Sequence, residues 1–139
     1  MEFIDIPHDI KVFGHQVLTF PNGVGEAFDA IVERVEGGFS RPFYGLARME
    51  GNSVIYMAAA IEKFPEEGKQ LGYEEYVIQK GYYAAITITD WHSKLSSLPG
   101  IFSELMKLEG LDPEHWAVEW YKDDDEMVCM LRMKDEVSN

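Results

Sequence analysis

Residues 117–121 read Ala117-Val118-Glu119-Trp120-Tyr121 and place a carboxylate in the middle of an aromatic run. Aromatic and β-branched residues of this kind are typical of a strand. Side chains alternate between the two faces of a strand, so Ala117, Glu119 and Tyr121 share one face, while Val118 and Trp120 share the other. The stretch therefore predicts a strand that presents an acidic group beside an aromatic ring.

A carboxylate surrounded by aromatic side chains needs a compensating charge, because burying an unpaired charge is costly. A flat cationic ligand would supply that charge and would also stack on the rings. We therefore predict that Glu119 is the charge-neutralising residue of a ligand site. The alternative is a solvent-facing glutamate on an edge strand.

The residues around this stretch predict the order strand, helix, strand, strand. Residues 76–89 are β-branched and aromatic, and Gly81 within them indicates a bulge or a short turn between two strand pieces. A helix is predicted from Ser97-Leu98-Pro99, with a serine cap and proline in the first turn, to Gly110. Strands follow at 116–122 and 127–133, joined by an acidic turn.

The first half of the chain shows the same order of elements. A predicted strand at 10–20 is followed by apolar residues at helical spacing that stop at Gly37-Gly38. Two further strands, 43–49 and 54–64, are joined by a hairpin turn of the Gly/Asn type. The two halves have little sequence identity, so the repeat is recognised from its pattern.

These patterns predict an α+β fold built from a tandem strand-helix-strand-strand repeat with pseudo-twofold symmetry. We expect an antiparallel sheet with helices packed on it and a ligand groove between the halves. The 139 residues suit a single domain, 1–139. Its modules would cover about 10–64 and about 73–134, and the polar residues 65–72, with one proline and two glycines, would form the linker.

The composition excludes several classes of partner. A formal net charge of −13 argues against direct binding of nucleic acid, which needs clustered Lys and Arg, and against binding to anionic membranes. The single cysteine, Cys129, cannot form an intrachain disulfide and is expected to be a small buried hydrophobe. The N-terminus lacks a signal-peptide pattern, and no apolar run reaches membrane-spanning length. A reducing cytoplasm is the simplest location.

Three segments of the second half match a known family in order and spacing. They are Tyr76-Val77-Ile78-Gln79-Lys80-Gly81-Tyr82-Tyr83-Ala84, then Ser97-Leu98-Pro99 with Ile101-Phe102, and finally Val118-Glu119-Trp120-Tyr121 before Asp123-Asp124-Asp125. In these segments the chain resembles the gyrase-inhibitor-like family, which includes the effector-binding domain of bacterial AraC-type and multidrug-sensing transcription activators. The resemblance extends from about residue 10 to residue 133, and the Glu119-x-Tyr121 pattern is its most specific part.

The resemblance implies two strand-helix-strand-strand modules that bind small, often aromatic and cationic, molecules in the groove between them. The glutamate of the family corresponds to Glu119 and its companion aromatic residue to Tyr121. The chain departs from the family where Asp90-Trp91-His92 replaces a usual glycine, and Trp91 could alter the choice of ligand. No DNA-binding segment is recognised, so we expect a stand-alone module that would need a protein partner to regulate transcription.

The symmetry of the repeat suggests further site residues. It pairs the strand containing Tyr44, Leu46 and Arg48 with the strand containing Glu119, and Tyr44 is the residue of that trio expected to line the groove. Tyr56 is a further candidate, with the face of its strand left open. Trp91 is either a pocket wall or a cap over the core. Trp120 is predicted to be core beneath the second helix.

The sequence indicates neither a metal site nor a cofactor. The histidines His8, His15, His92 and His115 lack the spacing of metal ligands, and the acidic turn 123–126 lacks the spacing of an EF-hand. No phosphate-binding loop or nucleophile motif is present.

Three functions remain open from sequence. The preferred one is a binding module in which Glu119, Tyr121, Tyr44, Tyr56 and Trp91 hold an aromatic cation. The second is a hydrolase of strained electrophilic aromatic natural products, as in some stand-alone relatives, with Glu119 as general base and Tyr121 as the residue that positions water or the leaving oxygen. The third is a gyrase-inhibitor-like acidic protein that binds another protein. A homodimer also remains open.

Overall fold

The structure, a computed structural model, describes residues 1–20 and 22–134. Residue 21 and residues 135–139, which the predicted single domain includes, lie outside the described residues. The strands are β1 (Glu2–Ile6), β2 (Ile10–Gln16), β3 (Phe43–Glu50), β4 (Ser53–Ile61), β5 (Glu74–Ile78), β6 (Gly81–Thr89), β7 (Ala117–Tyr121) and β8 (Glu126–Arg132). The α-helices are α1 (Val24–Arg34), the short α2 (Glu67–Gln70) and α3 (Leu98–Met106), and 3-10 turns lie at Gly38–Ser40, Trp91–Ser93 and Leu95–Ser97.

Within the described residues, the eight strands form one antiparallel sheet in the order β1-β6-β8-β7-β3-β4-β2-β5. The inner six strands read β6-β8-β7 on one side and β3-β4-β2 on the other, which is the arrangement that a pseudo-twofold axis between β7 and β3 produces. At this junction Gly45 of β3 lies opposite Glu119 of β7. The predicted α+β fold, with its tandem repeat and mainly antiparallel sheet, is confirmed.

The two outermost strands cross between the halves. β1 was not predicted from the sequence, whereas β5 and β6 are the two strand pieces predicted on either side of a turn at Gly81. β1 precedes β2 in the chain but pairs with β6, while β5 precedes β6 but pairs with β2. Along the chain, residues 7–9 connect β1 at one edge of the sheet to β2 near the other edge. Residues 79–80 connect β5 to β6 in the same way. A chain advances at most about 3.6 Å per residue, so the two edges of the sheet must lie close together. The sheet therefore curls into a half-barrel.

The inner face of this half-barrel carries the core that joins both edges. Its buried members include Val12, Tyr44, Leu46 and Val118, and residues of β1 and β5 pack against the same cluster. This inner-face cluster contains no residue of α1 or α3. Trp120 belongs to this face, so the prediction that it lies beneath the helix of the second half, α3, is wrong. α3 packs on the sheet face that carries Glu119, and the alternation of side chains along β7 directs Trp120 to the other face.

The outer face carries the helices in two separate clusters. Ala27, Phe28 and Ile31 of α1 pack against β2, β3 and β4, and Ile101, Phe102 and Leu105 of α3 pack against β6 and β8. Tyr121 contributes to both clusters. The boundary between the clusters therefore runs along β3 and β7, and this boundary is the groove between the halves.

The helix ends differ from the predicted signals. α1 ends at Arg34 and is followed by an extended Val35, so Gly37, at φ 81°, begins the next 3-10 turn instead of ending the helix. α3 ends at Met106, before Gly110, whose φ of 87° lies in a backbone region that residues with a side chain rarely adopt. Ser97 caps α3 by position, but its hydroxyl donates to the carbonyl of Lys94 rather than to the helix. None of the helices in residues 1–20 and 22–134 combines the length and apolar character needed to cross a membrane.

Candidate functional site

Glu119 lies at the centre of the groove floor, on the outer face of β7. Its neighbours across the sheet are Gly45 of β3 and Cys129 of β8. Only 8% of Glu119 is exposed, although carboxylates are usually solvated. The strand alternation predicted from the sequence places Tyr121 on the same face.

Two tyrosine hydroxyls donate hydrogen bonds to the same oxygen of Glu119. Tyr56 Oη donates to Oε1 at 2.6 Å, and Tyr121 Oη donates to Oε1 at 2.9 Å. The two hydroxyl oxygens are 3.4 Å apart. Oε2 has no hydrogen-bond partner among the described residues, and none of their cationic side chains forms an ion pair with Glu119. The second oxygen thus remains available to a ligand.

The surroundings favour the neutral form of this carboxyl. Burial raises the pKa of Glu119 and outweighs the two tyrosine hydrogen bonds, which act in the opposite direction. Burial, followed by the charge of Glu119, holds the pKa values of Tyr56 and Tyr121 well above the usual range. Burial also raises the pKa of Cys129 to about 12. Glu119 therefore keeps its proton to a higher pH than a solvated glutamate does, while Tyr56, Tyr121 and Cys129 are held in their neutral forms.

Aromatic rings from three parts of the chain contact the two tyrosines that hold this carboxyl. Phe20 stacks on Tyr56 with ring centroids 4.8 Å apart. Phe28 and Trp91 make edge contacts with Tyr121 at centroid distances of 5.4 and 5.0 Å. Such rings offer both apolar contact and a negative face toward a cation.

Trp91 is held in place by the acidic turn between β7 and β8. Its Nε1 donates to the carbonyl of Asp123 at 2.9 Å, and the N–H of Asp90 donates to Asp125 Oδ1 at 3.1 Å. Asp90 itself has φ 53°, in the left-handed region. The stretch that departs from the family pattern therefore positions an aromatic wall of the site.

Four of the five residues proposed for the site from sequence come together. Glu119, Tyr121, Tyr56 and Trp91 lie in one cluster, whereas Tyr44 lies on the inner face opposite Trp120. The expected pairing of Tyr44, Leu46 and Arg48 with Ala117, Glu119 and Tyr121 is wrong by one residue. A shift of one residue in register reverses every side chain of a strand, so the structure does not bring Tyr44 to this cluster.

Phe20 and Phe28 are site residues that sequence reasoning missed. Phe20 follows β2 in a loop, whereas the sequence pattern included it in the strand. Phe28 was visible as part of the apolar stripe of α1, but a stripe does not distinguish core from groove wall. In the described part of the chain, no group of three or more His, Cys, Asp or Glu side chains is arranged so that it could hold a metal ion.

Gly45 leaves the space that the hydrogen-bonded carboxyl occupies. A Cβ built at this position would collide with both Tyr56 Oη and Glu119 Oε1. We predict that Gly45→Ala displaces these groups and lowers the free energy of unfolding by about 1–3 kcal/mol, the usual cost of overpacking. Urea denaturation measures this effect.

Gly25→Ala is the matched control for Gly45→Ala. Gly25 lies in the first turn of α1, and a Cβ there meets nothing within 4 Å. Alanine at a helical position of this kind should stabilise the protein by up to about 1 kcal/mol. Equal effects of the two substitutions would contradict the assigned role of Gly45.

No protein family model matches the chain, and no curated protein matches it. Solved structures do match. An integron cassette protein from the mobile metagenome of Vibrio cholerae, VCH_CASS2, has a TM-score of 0.71 at 12% identity, covering 96% of this chain and 95% of that one.

Two further solved structures share the fold. The structure of SAV2435 bound to tetraphenylphosphonium has a TM-score of 0.67 at 10% identity, covering 96% of this chain and 93% of its own. A protein from Staphylococcus aureus MU50 assigned to bacterial transcription regulation has a TM-score of 0.60 at 8% identity, covering 96% of this chain and 97% of its own. At these identities the similarity shows a common fold, the antiparallel sheet with helices and a groove.

Proposed function

We propose that the chain is a small-molecule-binding module of the gyrase-inhibitor-like type that takes up aromatic cations. The observation that carries the proposal is a buried carboxyl, Glu119, with one oxygen held by two tyrosine hydroxyls and the other without a partner among the described residues. Aromatic rings surround it and no described cation neutralises it. A cationic ligand supplies the missing charge, and the rings supply its contact surface.

The fold neighbours support the class of ligand. SAV2435, which shares the fold over nearly its whole length, is bound to tetraphenylphosphonium, a cation that carries four phenyl rings. A neighbour assigned to transcription regulation supports a sensing role, in which ligand binding is passed to a protein partner. The net charge of −13 would also attract cations to the protein.

Binding of tetraphenylphosphonium to three forms of the protein tests the proposal. We expect micromolar binding by the wild type and at least about tenfold weaker binding by Glu119→Gln, since a desolvated charge contact contributes about 2 kcal/mol. Glu33→Gln, which removes an exposed carboxylate of α1, is the matched control and should bind like the wild type. Isothermal titration calorimetry gives the affinities.

A neutral probe completes this test. Triphenylphosphine oxide has a similar aromatic shape without a net charge, so it should not distinguish the wild type from Glu119→Gln. If the cation binds all three forms equally well, or binds none of them, Glu119 does not recognise the positive charge of the ligand.

A hydrolase is the second candidate, and the free Oε2 together with the raised pKa of Glu119 favours it. A general base is most effective when its pKa lies near the working pH. Here Oε2 would accept a proton from water as the water oxygen attacks a carbon of the strained ring. The C–O bond of the ring breaks, and its oxygen takes up a proton from solvent, while Tyr56 and Tyr121 hold Oε1. Incubating aromatic epoxides with wild type and Glu119→Gln tests this activity, and equal rates of ring opening would exclude it.

A further inference from the structure

The groove floor next to Glu119 consists of side chains that are unusually small for a site of aromatic walls. On the outer face, β3 presents Gly45 and then Ala47, and β7 presents Glu119 and then Ala117. Ala47 and Ala117 are register partners and lie side by side on the boundary between the two helix clusters. In the opposite direction along the groove, the next outer-face residues after Gly45 and Glu119 are Phe43 of β3 and Tyr121 of β7, which are also register partners.

The outer-face residues of β3 become more exposed along the groove in the direction from Phe43 to Ala47 and Met49. Phe43 is buried, whereas Ala47 and Ala117 are half-buried, as is Tyr121, whose ring is contacted by Phe28 and Trp91. The next outer-face residues beyond Ala47 are Met49 and its register partner Val54, which are 59% and 41% exposed. The groove is therefore closed by aromatic rings at one end and opens over an apolar floor at the other.

We infer that the apolar body of the ligand lies on Ala47 and Ala117 and extends toward Met49, with its charged centre at Glu119. This inference rests on the proposed function and specifies how the ligand is oriented in that site. The two alanines then act as specificity-determining residues, because a side chain as large as leucine would occupy the space of a bulky ligand. Apolar contact with Met49 and Val54 at the open end suits a ligand larger than a single ring.

Protection of an introduced thiol tests this orientation. The native Cys129 is fully buried with a pKa raised to about 12, so it should react slowly and give a low background. Ala117→Cys adds only one sulfur atom to the floor. We expect saturating tetraphenylphosphonium to slow its reaction with N-ethylmaleimide at least tenfold. Val77→Cys, at an exposed position of the edge strand β5, should react at an unchanged rate.

A size series provides a second, independent measurement. In Ala117→Leu, the affinity for tetraphenylphosphonium relative to that for phenyltrimethylammonium should fall at least tenfold. Val77→Leu, which enlarges an exposed side chain of the edge strand β5 outside the groove, should keep the wild-type ratio. Thermal unfolding of each variant shows whether the protein is folded before binding is measured.

The outcomes separate this inference from the proposed function. If the wild type binds no aromatic cation, or if binding does not depend on Glu119, both are overturned. If binding depends on Glu119 but the thiol at position 117 is not protected and the size ratio is unchanged, the ligand lies elsewhere in the groove and only the inferred orientation is overturned.

Discussion

Replacing Glu67 by alanine is expected to lower the free energy of unfolding by about 3–5 kcal/mol, the cost of leaving a buried charge without its partner. Glu67 and Arg41 are 3% and 4% exposed, and Nη1 of Arg41 lies 2.7 Å from Oε1 of Glu67. The same guanidinium donates to the carbonyls of Glu36 and Ile61. The pair therefore joins the chain after α1, the end of β4 and the short helix α2, which lies in the predicted linker.

An exposed ion pair in the same protein gives the matched control. Glu104 and Lys107 of the α3 region form an ion pair of 2.9 Å, but both side chains are largely exposed. Glu104→Ala should change the free energy of unfolding by less than about 1 kcal/mol, because solvent screens such pairs. Urea denaturation at pH 7 compares the two variants, and similar losses would refute the special role of the buried pair.

The contribution of Glu67 should also depend on pH in a defined direction. Burial raises the pKa of Glu67, but the hydrogen bonds from Arg41 and the Lys63 N–H more than offset burial, so its pKa lies below the ordinary value. A carboxyl with a lowered folded pKa stabilises the fold above its unfolded pKa of about 4.3. That stability is lost as the pH falls through the folded pKa. The difference between wild type and Glu67→Ala should therefore shrink in acid.

The local sequence pattern was sufficient to predict the fold class, but it did not predict which residues of different strands come together in the site. Alternation in residues 117–121 placed Glu119 and Tyr121 on one face, because that rule depends only on the strand itself. The position of Tyr44 depended on the register between β3 and β7, which no local pattern specifies, and an error of one residue reversed its face.

The remaining differences between the sequence predictions and the structure involve residues whose spatial neighbours are distant in the chain. β1 has a clear alternation, with Ile4 and Ile6 on one face, yet its partner β6 is about eighty residues away in the chain. Phe20 reaches the site because the loop after β2 folds back on Tyr56. The tight approach of Gly45 to Glu119 could be recognised only once the strands were paired, since its backbone has no positive φ that would have marked it.

Substituting Glu119 by glutamine is expected to weaken cation binding at least about tenfold and, in the absence of ligand, to stabilise the protein relative to the wild type at higher pH. The pKa of Glu119 in the folded protein lies above its unfolded value. As the pH rises between these two values, the unfolded state ionises first and the folded state loses stability relative to it. Glutamine keeps a similar shape and does not ionise, so the variant avoids this loss.

The sign of the pH dependence separates the free protein from the ligand-bound protein. Without ligand, the stability of Glu119→Gln relative to the wild type should increase with pH and level off above the folded pKa of Glu119. With an aromatic cation present, the wild type should gain affinity by up to about tenfold per pH unit below that pKa, because binding to the charged form releases one proton.

Calorimetric titration of tetraphenylphosphonium at several pH values, in buffers of different ionisation enthalpy, measures this proton release directly. Tyr56, Tyr121 and Cys129, the titratable groups that contact or face Glu119, have pKa values too high to contribute near neutral pH. His92 stacks on Trp91 at the edge of the site and is an ionisable side chain that could take part in proton exchange. His92→Gln is therefore the control, and it should retain the proton release. If the release persists in Glu119→Gln or disappears in His92→Gln, the proton does not come from Glu119, and the charge of the ligand is balanced elsewhere.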